Sequence, residues 1–553
     1  MQNKTKPRPD RTKHLLILII LSCFVFLIGN NLLSLTNPDE VFYAQTAKEM
    51  IHHNSWMTPY MFGQPQFEKP ILLYWLLRIG FILFGVSAFG ARFFPALFGV
   101  IGVVAVYLLA VAGFKDEKKA FLCGLITLSC GLWVGLSKTV FTDMIFSVLI
   151  LCSLASFYWG YVQASRKSTG ILLFFAFAAL AVLAKGPLGI LITLLTVIIF
   201  LLFARNLKYL LCAEFFLGLC ICAAISVPWY ALMIKKYGTA FTHEFFYNDH
   251  YRRLIFAEHR SNDTWYFYPA SMIGAMFPWS LFSLASLGYL FKMIKKNASP
   301  FYVFLACWIA VTLFVFQPAH SKLVSYILPL FPALAIITGD FIHSCLRENK
   351  KKLILGILIA SAAILFMLPG GLLFAAGKYS IYVPSKTPVY ILCVLILVLC
   401  SKLTFYIVKR DFQKSVFVLA AVVPLIVLYL PFVYKYAESY ASSKYACEYL
   451  MKNHDLDKPI ICSKFFVRGV RYYTDKEVAF LSLDGSNFYS PHPVLFLNSA
   501  EKLIEFMKKT SSTYGVFSKS YSKRLLTLDD PRLKCALLKT VGDEYILKLE
   551  SNP

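Results

Sequence analysis

The sequence predicts an α-helical polytopic membrane protein followed by a small soluble α/β domain. Three observations carry that reading. First, 58% of the 553 residues are hydrophobic and only 15% are charged, with a mean hydropathy of +0.63. A soluble chain of this size has no interior large enough to hide so much apolar surface. Second, hydrophobic blocks of spanning length recur from His14 to about Tyr434. Third, the composition then turns mixed and polar over a stretch the size of one small domain. The expected division is residues 1–435 in the membrane and residues 436–553 as an extracytoplasmic domain.

The N-terminus is basic from Lys4 to Lys13 and then apolar, with no small-residue cleavage site after Leu33. It reads as a retained first span, about residues 14–35, that starts in the cytoplasm. Asn37-Pro38-Asp39-Glu40 follows, a helix-start signature with proline in the first turn and acids at the positive end of the dipole. Behind it Val41, Tyr43, Ala44, Ala47, Met50 and Ile51 recur at helical spacing, which predicts an amphipathic helix along the membrane surface. The apolar stretch 71–86 is interrupted by Arg78 and is barely long enough to cross. Read as a second surface helix, it allows spans near 91–113, 120–136, 141–162, 170–184, 187–204, 208–231, 266–291, 300–316, 322–344, 353–375, 388–409 and 415–434. With the first, that makes about thirteen.

The net charge of +25 would suit a nucleic-acid partner, but its placement argues against one. The basic clusters sit between spans, at Lys115/Lys118/Lys119, Arg166/Lys167, Arg205/Lys208, Lys292/Lys295/Lys296, Arg347/Lys350/Lys351/Lys352 and Lys409/Arg410/Lys414. With 71–86 on the surface, all of them fall on the cytoplasmic side. Treated as a span, 71–86 would put them all outside. The charge is therefore a topology signal and an attraction to anionic lipid headgroups of the bilayer. In the tail, strand-like runs (460–462, 478–483, 494–497, 514–517, 545–549) alternate with helical stretches (443–452, 500–508), as in a small α/β domain. No Walker, Rossmann or HExxH motif is present. Cysteines lie mostly inside spans. The three in the tail, Cys447, Cys462 and Cys535, permit at most one internal disulfide.

Against this topology Asp39, Glu40, Glu68, Lys69, Asp143, Lys185, Arg253, His259, Lys322 and Tyr326 all reach one membrane surface, the outer one. Ionisable groups near lipid are expensive, and several gathered at one face suggest a site for chemistry. Asp39-Glu40 could simply stabilise its own helix, or act as a carboxylate pair that accepts a proton or positions a cation. Asp143 has no solvated helix face to explain it, so it needs a cationic partner or a function. Lys69, Lys185, Arg252/Arg253 and Lys322 are outer-side cations, which the charge bias disfavours there. Beside carboxylates they suit a lipid-linked phosphate, with Tyr326 as a further hydroxyl donor. The loop 232–265, with Glu244, Asp249, His250, Glu258, His259 and Asp263, is rich in ligands. Glu68 with His259 makes a candidate pair for a divalent metal such as Zn, Mn or Mg.

Asn37-Pro38-Asp39-Glu40 with Tyr43-Ala44, then Phe67-Glu68-Lys69-Pro70 with Tyr74-Trp75, resembles the membrane glycosyltransferases that move 4-amino-arabinose from undecaprenyl phosphate to lipid A. These belong to the wider protein O-mannosyltransferase-like (GT-C) superfamily. The resemblance continues in order through Asp143, Lys185-Gly186, His250-Tyr251-Arg252-Arg253, Glu258-His259-Arg260, Trp265-Tyr266, Phe277-Pro278-Trp279 and Ser321-Lys322 with Ser325-Tyr326. It covers roughly residues 14–345. It implies a GT-C fold, a polyprenyl-phosphate-sugar donor and a cavity at the outer face of the bacterial inner membrane. It further implies that Lys69, Arg253 and Tyr326 hold the lipid phosphate, that Asp39 and Asp143 are essential acids, and that Glu68 and His259 are candidate metal ligands. The stretch His320-Ser321-Lys322-Leu323-Val324-Ser325-Tyr326 lacks the glycine and proline expected of the family.

Two acceptors fit these residues, and the resemblance favours a lipid A phosphate over a hydroxyl. A hydroxyl of a protein or glycan needs a base, for which Asp39 is the candidate. A lipid A phosphate is already anionic and needs none, leaving Asp39 and Asp143 to orient the sugar or its developing positive charge. A transporter or flippase would instead place its charges near the bilayer midplane, on broken helices in matching halves, and no such halves are evident.

Overall fold

The computed structural model describes residues 9–256, 260–347, 351–380, 385–483, 494–528 and 530–552. Among them, eight helices are long and apolar enough to cross a membrane, or ten if two bent pairs each count as one span. The bent pairs are Glu117–Leu128 with Gly131–Ser137, at 62°, and Phe267–Ala275 with Ser280–Lys295, at 119°. Three shorter apolar helices, Leu72–Phe84, Leu188–Phe203 and Pro300–Phe316, pack among them. The chain is a multi-pass membrane protein.

The stretch after the first helix, Pro9–Leu27, packs over one end of the membrane helices. Asp39–His52 forms a helix, a two-residue hairpin pairs Tyr60–Met61 with Gln64–Pro65, and Leu72–Phe84 forms a second helix of 13 residues. At about 1.5 Å per residue that second helix reaches roughly 20 Å, short of a hydrocarbon core of about 30 Å. Its Arg78 does not face lipid. It is buried, donates to the carbonyls of Met50 and Ser55, and stacks 4.0 Å from the Trp56 ring.

The Asp39–His52 helix differs from the half-exposed amphipathic helix expected of it. Glu40 through Ala47, Glu49 and Met50 are all buried, on every side of the helix. The cause is a cap. The C-terminal domain packs its Val467–Thr474 helix against Asp39–His52, which also packs on Leu72–Phe84, so both faces of that helix are covered.

The C-terminal domain holds a six-stranded sheet in the order Leu495–Leu497, Val478–Leu481, Ile460–Cys462, Ser512–Phe517, Glu544–Ser551, Leu533–Val541. The first four strands are parallel and the last two add an antiparallel hairpin. Helices Lys444–Asn453, Val467–Thr474, Ala500–Thr510 and Lys519–Leu526 flank it. The last membrane helix, Phe412–Ala441, runs on past residue 435 before the domain begins. Cys447, Cys462 and Cys535 are all free thiols.

Candidate active site

A cavity of about 650 Å³ opens between one set of ends of the membrane helices and the C-terminal domain. Asp39, Glu68, Lys69, Asp143, Lys185 and Tyr326 all line it, joined by Tyr43, Glu244, Asn248, Asp249 and Arg468.

Local structure explains how these groups arrive together. Asp143 sits in the first turn of Thr142–Val162, where the positive end of the helix dipole favours an acid. Lys185 is the last residue of Lys167–Lys185, where the negative end favours a cation, and Gly186 at φ +84° ends that helix. The two helices pack side by side and antiparallel, so opposite charges meet at the same surface. The Lys185 ammonium lies 2.5 Å from Asp143 Oδ1 and 4.2 Å from the centre of the Tyr326 ring.

Lys69 is held by a residue from far along the chain. Its Nζ donates to both carboxylate oxygens of Asp249, at 2.6 and 2.7 Å, from the wide helical segment His243–Tyr251. In the sequence Asp249 is one acid among several in a polar loop, and nothing local marks it. Glu68 faces Arg468 of the C-terminal domain at 3.9 Å. Among the described residues, each of the three cations lining the cavity, Lys69, Lys185 and Arg468, therefore stands against a carboxylate.

Tyr43 is buried among the acids. Burial, with the charges of Tyr74, Asp143, Asp39 and Glu68 around it, pushes its phenol well above the ordinary range. The hydroxyl stays protonated, a neutral donor on the cavity wall. Its place at helical spacing behind Asp39 reads in the sequence as a plain apolar position.

Two expected residues lie elsewhere. Glu40 is one helical step of about 100° from Asp39, and that step turns it into the wall. There it meets Arg92 at 2.6 and 2.9 Å and accepts hydrogen bonds from the backbone N–H groups of Thr36 and Val140. Burial alone would raise its carboxyl, but Arg92 and these donors bring it below the ordinary value. Lys322 also turns away. Leu323 is extended, so neighbouring side chains alternate. Ser321 and Leu323 face the cavity, while Lys322 Nζ reaches Asp263 Oδ1 and the Thr264 carbonyl, each at 3.2 Å. His259 and the side chain of Arg253 lie outside the described residues. Among the described residues no three His, Cys, Asp or Glu side chains gather to hold a metal ion, so Glu68 has no described co-ligands.

A second cavity of about 680 Å³ lies near Lys48, Glu438, Tyr445, Tyr472 and Tyr473. Lys48 is nine residues from Asp39, on the opposite side of the same helix. The carboxylates and cations of the first cavity do not reach it.

In chemical terms the first cavity offers lysines and an arginine that can trade their carboxylates for a phosphate. It also holds acids able to face a positively charged sugar carbon.

Residues 12–240 match the model of the dolichyl-phosphate-mannose-protein mannosyltransferase family. That stretch carries Asp39, Glu68, Lys69, Asp143 and Lys185. The chain is 29% identical over 373 residues to the undecaprenyl phosphate-alpha-4-amino-4-deoxy-L-arabinose arabinosyl transferase of Erwinia tasmaniensis, covering 65% of this chain and 66% of that one. A transferase of the same name from Proteus mirabilis is 28% identical over 390 residues, covering 69% and 68%. The matched stretch thus spans about two thirds of those relatives. The fold is that of ArnT from Cupriavidus metallidurans. Its apo crystal structure superposes with a TM-score of 0.80 at 20% identity, over 97% of this chain and 98% of that one. The same protein bound to undecaprenyl phosphate gives a TM-score of 0.77.

Proposed function

We propose that this protein is a membrane glycosyltransferase that moves a sugar from a polyprenyl phosphate to a phosphate of lipid A, at the outer face of the bacterial inner membrane. The observation that carries the reading is the convergence of Asp39, Lys69, Asp143, Lys185 and Tyr326 on one cavity beside the membrane helices. Its sequence likeness to transferases of that name supports the same chemistry.

In this reaction the bond between the sugar C1 and its phosphate oxygen breaks, and the leaving polyprenyl phosphate gains charge. Lys69 and Lys185 are close enough to the cavity to stabilise that charge once the donor phosphate takes the place of Asp249 and Asp143. Arg253 and Tyr326 are assigned to the same phosphate by the resemblance. An oxygen of the acceptor phosphate forms the new bond to C1 and needs no deprotonation. Asp39, together with Asp143 once it is released from Lys185, faces the developing positive charge on the sugar. A hydroxyl acceptor would instead hand its proton to Asp39. The metal considered for Glu68 and His259 has one carboxylate of the cavity wall in its favour, and the transfer is complete in atoms without it. A flippase would need its charges at mid-membrane, whereas Asp143 and Lys185 stand at helix ends.

For the topology we favour thirteen crossings, made of the ten candidates joined by Pro9–Leu27, Leu188–Phe203 and Pro300–Phe316. The N-terminus is then cytoplasmic, and the cavity and C-terminal domain are periplasmic. Purified protein given a radiolabelled polyprenyl-phosphate sugar and lipid A tests the function. Label appearing in lipid A supports it. Label that only changes leaflet in proteoliposomes, with no transfer, overturns it.

A further inference from the structure

We infer that the C-terminal domain completes the reaction cavity, with Arg468 binding a phosphate oxygen of a lipid substrate; this rests on the transferase reading above. The domain is seated firmly. Asn37 donates its backbone N–H to the Ala441 carbonyl at 2.8 Å and its side-chain amide to Ser443 Oγ at 2.7 Å. Tyr473 OH donates to the Leu35 carbonyl at 3.0 Å. Lys48 meets Asp475 at 2.6 Å, and Arg471 meets Glu49 at 3.2 Å. Gly469 lets these segments touch, since a Cβ there would stand 2.1 Å from Asn37 Oδ1 and 2.8 Å from Ser443 Oγ. Next to that contact, Arg468 is carried into the cavity wall.

Its bonding sets Arg468 apart from the other cations. Arg471, on the same helix, makes a hydrogen-bonded pair, and Lys69 and Lys185 are closely paired. Arg468 reaches Glu68 only at 3.9 Å and lies 4.5 Å over the Phe42 ring. Its Nε is buried with no hydrogen-bond partner. A structural arginine so placed would be fully bonded. A guanidinium with donors to spare, facing a cavity of lysines, suits a phosphate in bidentate fashion. The resemblance in sequence weakens beyond residue 345, so the family motifs do not reach this residue.

The test uses the full-length protein with Arg468→Gln and Arg468→Lys, and Arg471→Gln as a control for domain seating. Transfer is measured while the donor is varied at saturating acceptor, and the reverse. Arg468→Gln is expected to raise one KM roughly tenfold or more, with Arg468→Lys between it and the wild type. Thermal unfolding of both should stay near the wild type. A raised donor KM assigns the phosphate to the polyprenyl donor, and a raised acceptor KM assigns it to lipid A. Unchanged KM values overturn the inference, as does an equal loss of activity and stability in Arg471→Gln. If the wild type transfers no sugar, the function fails instead. Binding of undecaprenyl phosphate and of diphosphoryl lipid A to wild type and Arg468→Gln then decides the role of Arg468 alone, with equal affinity counting against it.

Discussion

Glu40 and Arg92 join, through one buried ion pair, two separate segments that carry acids of the cavity. Arg92 binds both Glu40 oxygens, at 2.6 and 2.9 Å, and also donates to the carbonyls of Asn30, Leu33 and Ser34. Glu40 in turn accepts from Val140 N–H at 3.0 Å and from Thr36 N–H at 3.1 Å. Asp39 follows shortly after Thr36 and Asp143 shortly after Val140, so both acids hang from this pair.

Glu40→Gln is therefore expected to lower stability by about 3 kcal/mol, because it leaves the Arg92 charge buried and unmatched. Activity should fall with it. Glu40→Met combined with Arg92→Met should recover much of the stability and little of the activity, since the carboxylate that fixed the two loops is gone. The wild-type contribution has a definite pH window. The Glu40 carboxyl lies below its ordinary 4.5 when folded. The contribution is whole above that value and is lost as acid titrates the folded group beneath it. Thermal unfolding followed by tryptophan fluorescence across the acid range checks both statements.

Lys69 and Lys322 should separate cleanly. Lys69 lines the cavity, and Lys69→Ala is expected to cost roughly a hundredfold in kcat/KM by removing a cation beside the leaving phosphate. Lys322 is committed to Asp263 and Thr264 outside the cavity lining. Lys322→Ala should cost less than about fivefold, the effect of one partly exposed pair. Steady-state transfer assays on the two variants measure the contrast, and comparable losses would contradict the placement of Lys322.

What the sequence makes legible depends on background. Asp143 and Lys185 stand out because they are charges among apolar residues at the ends of spans. Asp39 and Lys69 stand out because their motifs are polar breaks in the loop after the first span. Asp249 disappears among the other acids of its loop, and only the folded chain shows it against Lys69. Arg468 lies in a polar domain where an arginine is ordinary. Its helix, Val467–Thr474, carries a glycine, β-branched residues and two tyrosines, all weak helix formers. The strand Leu533–Val541 escaped for a similar reason: it is an exposed sheet edge spaced with lysines, a pattern that protects edges and blurs alternation. Glu40 shows a different limit. Adjacent acids look equivalent in a string, and only the helical phase sends one into the cavity and the other into the wall.

The Asp143–Lys185 pair allows stability and chemistry to be told apart. Asp143→Asn leaves Lys185 facing the cavity without its acid and should reduce both stability and transfer. Exchanging the two, Asp143→Lys with Lys185→Asp, restores the pairing at similar distance. The helix dipoles now oppose both charges, so stability should recover in part. Transfer should not recover, because the acid and the cation have traded places around the sugar carbon. Melting temperature and transfer rate on the single and double variants test this, and recovery of transfer in the exchange would mean the pair is merely structural.

Glu544 is buried, and that burial, offset only in part by the Ser443 hydroxyl at 2.6 Å, pushes its carboxyl up to about 8. Ser443 also accepts the Asn37 amide, so the group sits one hydrogen bond behind the Asn37 contact that seats the domain. A folded value above the unfolded one means that the folded protein holds a proton the unfolded chain releases. Stability from this group is thus whole at acidic pH, falls as pH rises from about 4.5, and levels off beyond about 8. Glu544→Gln keeps the shape without the titration. The melting temperature of the wild type should decline across that window while that of Glu544→Gln declines less, and parallel curves for the two proteins would assign the pH dependence to other groups.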